Sequence, residues 1–171
     1  SILARVLLQN QVFFFQMLNT IASNSQKQVA EVCGDYLDNW LEHCETDAQS
    51  TVDKKLNTMA MLSLINTNSG VVLERFASIL SIVVEALHSV CGLGEDSHLD
   101  RLWLNGDTAD LPDDSQETEH EKRKRQLSRQ DPVHTLNLRD YVIQELMTYQ
   151  RAHGQSALNA LMNTLDPKIS E

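Results

Sequence analysis

Apolar residues recur every three or four positions through most of this chain, which is the spacing of one face of an α-helix. Six such stretches can be marked, at residues 2–22, 26–44, 50–65, 71–90, 138–152 and 155–165. The 171 residues include only six glycines and three prolines, fewer turn residues than a β-sandwich or a Rossmann-type enzyme needs. The sequence therefore predicts an all-α fold.

The predicted helices pair by length. Two helices of about 20 residues are followed by two more, so that units begin near residues 2, 50 and 136. Antiparallel helix pairs repeating every ~40–47 residues are typical of HEAT and armadillo solenoids. We expect an α-α superhelix of HEAT-like pairs, with two pairs in residues 1–92 and a third in residues 132–171. A compact bundle of six helices is the alternative.

The interval 93–131 has a different composition and is expected to be a flexible insertion. Residues 95–121 hold ten carboxylates and one basic residue, Arg101, and the basic run of residues 122–125 follows. A connection this long is functional or disordered. Leu99, Leu102 and Trp103 are expected to dock on the scaffold as a short turn. The basic run is expected to neutralise the acids or fold back on an acidic helix, and residues 125–128 fit a basophilic kinase site.

Charge and motifs argue against several classes of function. The chain has 14 Lys+Arg against 24 Asp+Glu, and a formal charge of −10 repels nucleic acid and anionic lipid. Cys33, Cys44 and Cys91 form no CxxC pair, so we expect buried thiols rather than disulfides or a zinc site. Polar residues interrupt the apolar start of the chain, which excludes a membrane span there. No catalytic or cofactor-binding motif is found, so an enzyme is not expected.

The second predicted helix carries a row of carboxylates on one face: Glu31, Asp35, Asp38, Glu42 and Glu45. Only Lys27 is placed to pair with one of them at i,i+4 spacing, and like charges this close repel. Glu74 and Glu85 on the fourth helix could extend the row. The row predicts a Lys/Arg-rich partner, and Trp103 is a further candidate contact; the alternatives are a solvated face on an acidic protein and, for the fourth helix, packing against a neighbouring repeat.

Two terminal motifs resemble the last repeats of importin-β-type nuclear transport receptors. They are DPVHTLNLRDYV at residues 131–142 and LDPKI at residues 165–169. The resemblance implies a carboxyl-terminal piece of a HEAT-repeat receptor that shuttles between cytoplasm and nucleus. Such receptors bind cargo, which is often basic, and the GTPase Ran, and they touch phenylalanine-glycine repeats of nuclear pore proteins. The family's principal Ran-binding repeats are amino-terminal, so no Ran contact is assigned here.

The resulting hypothesis is a non-catalytic piece of an import receptor that presents an acidic helical surface to basic cargo. Two alternatives stay open. One is a HEAT-repeat scaffold or regulatory subunit outside nuclear transport, and the other is an all-α regulator of a GTPase. Within the receptor class, an exporter would load its cargo together with Ran-GTP.

Overall fold

The computed structural model describes residues 2–45, 49–92, 99–102 and 118–165. These residues form ten α-helices and no strand, which confirms the all-α prediction. The helices are α1 (Ile2–Gln9), α2 (Gln11–Ser25), α3 (Val29–Cys44), α4 (Thr51–Ile65), α5 (Gly70–Leu73), α6 (Phe76–Cys91), α7 (Glu119–Ser128), α8 (Pro132–Thr135), α9 (Leu138–His153) and α10 (Gln155–Met162).

The long helices pack as successive pairs. Helix α2 packs on α3, α4 on α6, and α9 on α10. Each pair also contacts the next: α1 lies against α4, α4 against α9, and α3 against α6. A stack of helix pairs produces contacts of both kinds, within each pair and between the helices of neighbouring pairs. The prediction of a HEAT-like α-α superhelix is therefore confirmed.

Two of the predicted helices are each divided in the structure. The first breaks at Asn10, whose side chain accepts a 2.9 Å hydrogen bond from the Phe13 amide and so caps α2. The fourth breaks at Glu74 and Arg75, between α5 and α6. The three consecutive phenylalanines at residues 13–15 differ in burial. Phe14 is buried, Phe15 is half-buried against the core, and Phe13 is 53% exposed. An apolar periodicity alone did not reveal the breaks, because the flanking residues keep the helical spacing.

Part of the interval 93–131 is described. Residues 119–128 form α7, a helix that the sequence analysis did not predict. Leu102 packs against the core, as expected of a docked turn, whereas Trp103 lies outside the described residues. Whether the remainder of the insertion is flexible stays a prediction.

Helix α4 belongs to the second helix pair and packs against both α1 and α9, so it is buried on nearly every side. Its ten buried residues are Lys55, Leu56, Asn57, Thr58, Met59, Ala60, Met61, Leu62, Leu64 and Ile65. Neighbours on three sides, α1, α6 and α9, account for this burial. Burying a charged side chain on such a helix is costly unless it finds a partner inside the protein.

Lys55 finds such a partner in Asp100. Its Nζ lies 2.7 Å from Oδ2 of Asp100, and both side chains are fully buried. The same carboxylate accepts hydrogen bonds from the amides of Leu102, at 2.9 Å, and Leu138, at 2.8 Å. Burial lowers the pKa of Lys55, and the carboxylate opposes that shift. Asp100 therefore joins α4, the docked turn and the start of α9.

Polar contacts also attach α9 to α4 and to the turn that follows it. Tyr141 donates a 3.3 Å hydrogen bond to the Met59 carbonyl, and Tyr149 donates one of 3.2 Å to Asn68 Oδ1. Asn66 donates to Glu145. Burial raises the pKa of Glu145, while the hydrogen bond from Asn66 opposes the shift.

The Asp100→Asn variant is expected to lose about 3–5 kcal/mol of unfolding free energy, because it leaves the Lys55 ammonium buried without a counter-charge. Urea unfolding measures the loss. The double variant Lys55→Met, Asp100→Asn should regain part of it, since the uncompensated charge is gone. A double variant no more stable than Asp100→Asn would contradict the role given to the ion pair.

The raised pKa of Glu145 predicts a pH dependence. The folded chain holds the Glu145 proton more tightly than the unfolded chain, so unfolding free energy falls as pH rises from the ordinary Glu range through the raised pKa. Glu145→Gln should flatten this fall over the range that begins at the ordinary Glu pKa of about 4 and extends upward. Urea midpoints across that range measure it, with Asp140→Asn, an exposed carboxylate of the same helix, as control. An unchanged slope in Glu145→Gln would refute the assignment.

Candidate acidic interaction surface

Helix α3 has one buried face and one acidic face. Its buried residues are Val32, Cys33, Gly34, Leu37, Trp40, Leu41 and Cys44, and Trp40 Nε1 donates to Asn57 Oδ1 at 3.3 Å. The opposite face carries Glu31, Asp35, Asp38 and Glu42, with Glu45 just past the helix end, and all five are exposed. The helical period alone places them there, because burial of the apolar face fixes the rotation of the helix. We call this row, with Glu74 and Glu85, the acidic surface.

Lys27 pairs with the first two carboxylates of the row. Its Nζ lies 2.9 Å from Glu31 Oε1 and 2.9 Å from Asp35 Oδ2. The hydrogen bonds that Lys27 donates to Asp35 and then to Glu31 raise the pKa of Lys27. Lys27 thus reaches two of the five carboxylates, where i,i+4 spacing had suggested one.

Arg75 pairs with Asp38 and was not foreseen. It lies between α5 and α6, and its Nε and Nη2 donate to Asp38 Oδ1 and Oδ2 at 2.6 and 2.7 Å. Nη1 also donates to the Val71 carbonyl at 2.8 Å, which orients the guanidinium. These hydrogen bonds hold the pKa of Asp38 below its ordinary value. Such a bidentate pair is geometrically specific, but sequence spacing could not find it because Asp38 lies on α3 and Arg75 lies far along the chain, between α5 and α6.

A glycine in α3 makes room for this pair. A Cβ added at Gly34 would lie only 3.1 Å from Nη2 of Arg75. The guanidinium therefore packs directly against the backbone of α3, one turn before Asp38. Glycine within a helix weakens it by roughly 1 kcal/mol relative to alanine. Its presence here is explained by the close approach of Arg75.

The other candidate residues lie at different points of the surface. Glu85 pairs with Lys54, with a Nζ–Oε1 distance of 2.6 Å, and Glu74 lies 3.8 Å from Arg75 Nη1. Within the described part of the chain no cation lies in ion-pair range of Glu42 or Glu45. Seven carboxylates thus face three cations, Lys27, Lys54 and Arg75. The excess negative charge is concentrated at the carboxyl end of α3.

The described residues give little support to a metal site, a reactive cysteine, a ligand pocket or a membrane-spanning helix. They hold no group of three or more His, Cys, Asp or Glu side chains that could bind a metal ion. Cys33, Cys44 and Cys91 are buried free thiols, and burial raises their pKa, which disfavours the reactive thiolate. A depression between α3, α4 and α6 has a volume of only about 10 Å³, room for about one water molecule and far less than a typical ligand pocket. None of the described helices is long and apolar enough to cross a membrane.

Replacing Arg75 by glutamine is expected to raise the pKa of Asp38 toward its ordinary value, because the guanidinium that stabilises the carboxylate is lost. An NMR titration of the Asp38 carboxyl carbon measures the change. The control Lys27→Gln, which removes the cation beside Asp35, should leave the pKa of Asp38 unchanged. Equal titration of Asp38 in the wild type and in Arg75→Gln would contradict the pairing.

Comparison with known proteins places the fold in a family. A family model described as Importin-11-like, TPR repeats, matches residues 1–171. No solved structure matches the chain. TPR and HEAT repeats are both stacked helix pairs, and the first two units here begin at Ile2 and Thr51, closer to the ~40–47 residues of HEAT than to the ~34 of TPR.

Individual relatives agree with the family model. The chain is 30% identical to Importin-11 of Mus musculus over 173 residues and 31% identical to Importin-11 of Homo sapiens over 179 residues. Each alignment covers 99% of this chain and 18% of the relative, so the chain spans less than a fifth of their length. Importin beta-like protein kap113 of Schizosaccharomyces pombe is 33% identical over 124 residues, 70% of this chain and 12% of that protein. The chain belongs to the importin-11-like family of importin-β-type nuclear transport receptors.

Proposed function

We propose that this chain is a carboxyl-terminal part of a nuclear import receptor, where it presents the acidic surface to basic protein cargo. Family membership and the stack of helix pairs support transport over the scaffold and GTPase-regulator alternatives. Binding of Ran and of nuclear pore proteins, and shuttling between cytoplasm and nucleus, are proposed for the whole receptor. No cofactor or catalytic step is part of the proposal.

The observation that carries the cargo proposal is the uneven pairing along the acidic surface. Glu31, Asp35 and Asp38 lie beside cations, whereas Glu42 and Glu45 extend from the end of α3 without one among the described residues. Unpaired like charges on one helix face are destabilising, so they offer favourable electrostatic energy to an incoming cation. Lysine and arginine side chains of a cargo are such cations.

The paired residues have a different role in this proposal. The bidentate contact with Arg75 holds Asp38 in a fixed position on α3. Lys54 likewise holds Glu85 on α6, near the carboxyl end of α3. The proposal therefore places the principal cargo contacts at Glu42 and Glu45, with Glu31, Asp35, Asp38, Glu74 and Glu85 supplying the surrounding field. Trp103 remains a candidate contact from the insertion.

The double variant Glu42→Gln, Glu45→Gln is expected to weaken binding of a Lys/Arg-rich histone-tail peptide by roughly 3–10-fold at low salt, the size expected from losing two moderately screened charge contacts. Fluorescence anisotropy on the whole receptor measures the affinity, and the dependence of affinity on salt should become shallower. The matched control Asp140→Asn removes an exposed carboxylate from α9, outside the acidic surface, and should change little.

Arg75→Gln gives the opposite expectation. Because it releases Asp38 from its cation, the acidic surface gains one unpaired negative charge and the same peptide should bind more tightly. Equal affinity in wild type, Arg75→Gln and the Glu42/Glu45 double variant would overturn the cargo proposal, while leaving the fold and the family membership in place.

A further inference from the structure

We propose that Ser128, the last residue of α7, is a phosphorylation site for a basophilic serine/threonine kinase. The residues before it read Arg123-Lys124-Arg125-Gln126-Leu127, so arginines stand five and three positions ahead of the acceptor. Kinases of this class read such arginines with carboxylates in their substrate groove, through charge-assisted hydrogen bonds. This inference does not depend on the proposed function.

The composition of α7 is unlike that of the rest of the chain. Residues 122–129 hold five of the 14 lysines and arginines, in a chain whose formal charge is −10. A kinase that selects basic substrates would be repelled by most of this chain, because its own groove is acidic. Electrostatic steering therefore favours an approach to this helix over other surfaces.

The packing of its helix, rather than the exposure of its side chain, sets Ser128 apart from a second serine with a similar motif, because Ser78 is itself exposed and Ser128 is half-buried. Ser78 also follows an arginine by three positions, but that arginine is Arg75, which is held by Asp38. Ser78 lies near the start of α6, beside the buried residues Phe76 and Ile79. A kinase binds its acceptor in an extended conformation, so phosphorylation of Ser78 would require α6 to leave the core.

Helix α7 can unwind without disturbing the core. It has ten residues, and its one large apolar residue, Leu127, is 62% exposed. A helix of this length that buries no apolar face is marginally stable. Ser128 is half-buried at its end, where fraying is easiest.

The transfer uses MgATP as the second substrate. The Ser128 Oγ attacks the γ-phosphorus, the new O–P bond forms, and the bond between that phosphorus and the β,γ-bridging oxygen breaks. ADP leaves, and the hydroxyl proton passes to the catalytic base of the kinase and then to solvent.

The modification would alter the contacts at the end of α7. The phosphate adds a charge of about −1.5 to −2 at a helix carboxyl end, where negative charge is unfavourable. The Ser128 carbonyl accepts from the Asp131 amide at 3.1 Å, and Asp131 lies 2.7 Å from Arg5 of α1. Because like charges at Ser128 and Asp131 repel, phosphorylation should speed hydrogen exchange at the Asp131 amide.

The test incubates the whole chain with MgATP and a purified kinase that selects arginine at positions −5 and −3, and locates phosphate by mass spectrometry. One phosphoryl group at Ser128 is expected, with none in Ser128→Ala and unchanged incorporation in the matched control Ser78→Ala. Arg125→Gln should slow the reaction at least tenfold, whereas Arg129→Gln, on the other side of the acceptor, should not. No incorporation, incorporation at Ser78, or an equal rate in Arg125→Gln would overturn the proposal.

Discussion

A charged side chain in the middle of a helical stack has to be matched inside the protein, and Lys55 of α4 is such a residue. Its side chain is fully buried on α4, a helix that packs against α1, α6 and α9. The match is Asp100, which comes from the interval between the second and third helix pairs and also accepts the Leu138 amide at the start of α9. A buried ion pair adds little net stability but is costly to break, so it specifies where the third pair docks.

The sequence predicted those features that depend on neighbours along one helix. The two faces of α3 follow from its periodicity, so the apolar stripe that includes Trp40 and the row from Glu31 to Glu45 were both found. Contacts between distant segments were not predictable: Lys55 with Asp100, Arg75 with Asp38, and Glu145 with Asn66 all join residues on different elements. The break at Asn10 had a local signal, since asparagine is a good N-cap, but the apolar residues around it continued the helical pattern.

The same distinction applies to the acidic surface. The sequence identified which residues share a face, but charge pairing decides which of them can attract a partner. Cations from α5–α6 and from α4 approach Asp38 and Glu85, and only the folded chain brings them there. We therefore propose that the cargo-binding part of the acidic surface is smaller than the row of carboxylates and centres on Glu42 and Glu45.

Hydrogen exchange, resolved by residue, tests the stack of helix pairs most directly. In a stack made of these three pairs alone, the outer pairs have one neighbour and the middle pair has two, so local stability falls from the centre to the ends. The amides of α4 should exchange most slowly, those of α6 and α9 next, and those of α1 and α10 fastest. If α1, α4 and α10 instead exchanged at one common opening free energy, the helices would form a single cooperative globule, and the stacked arrangement would be wrong.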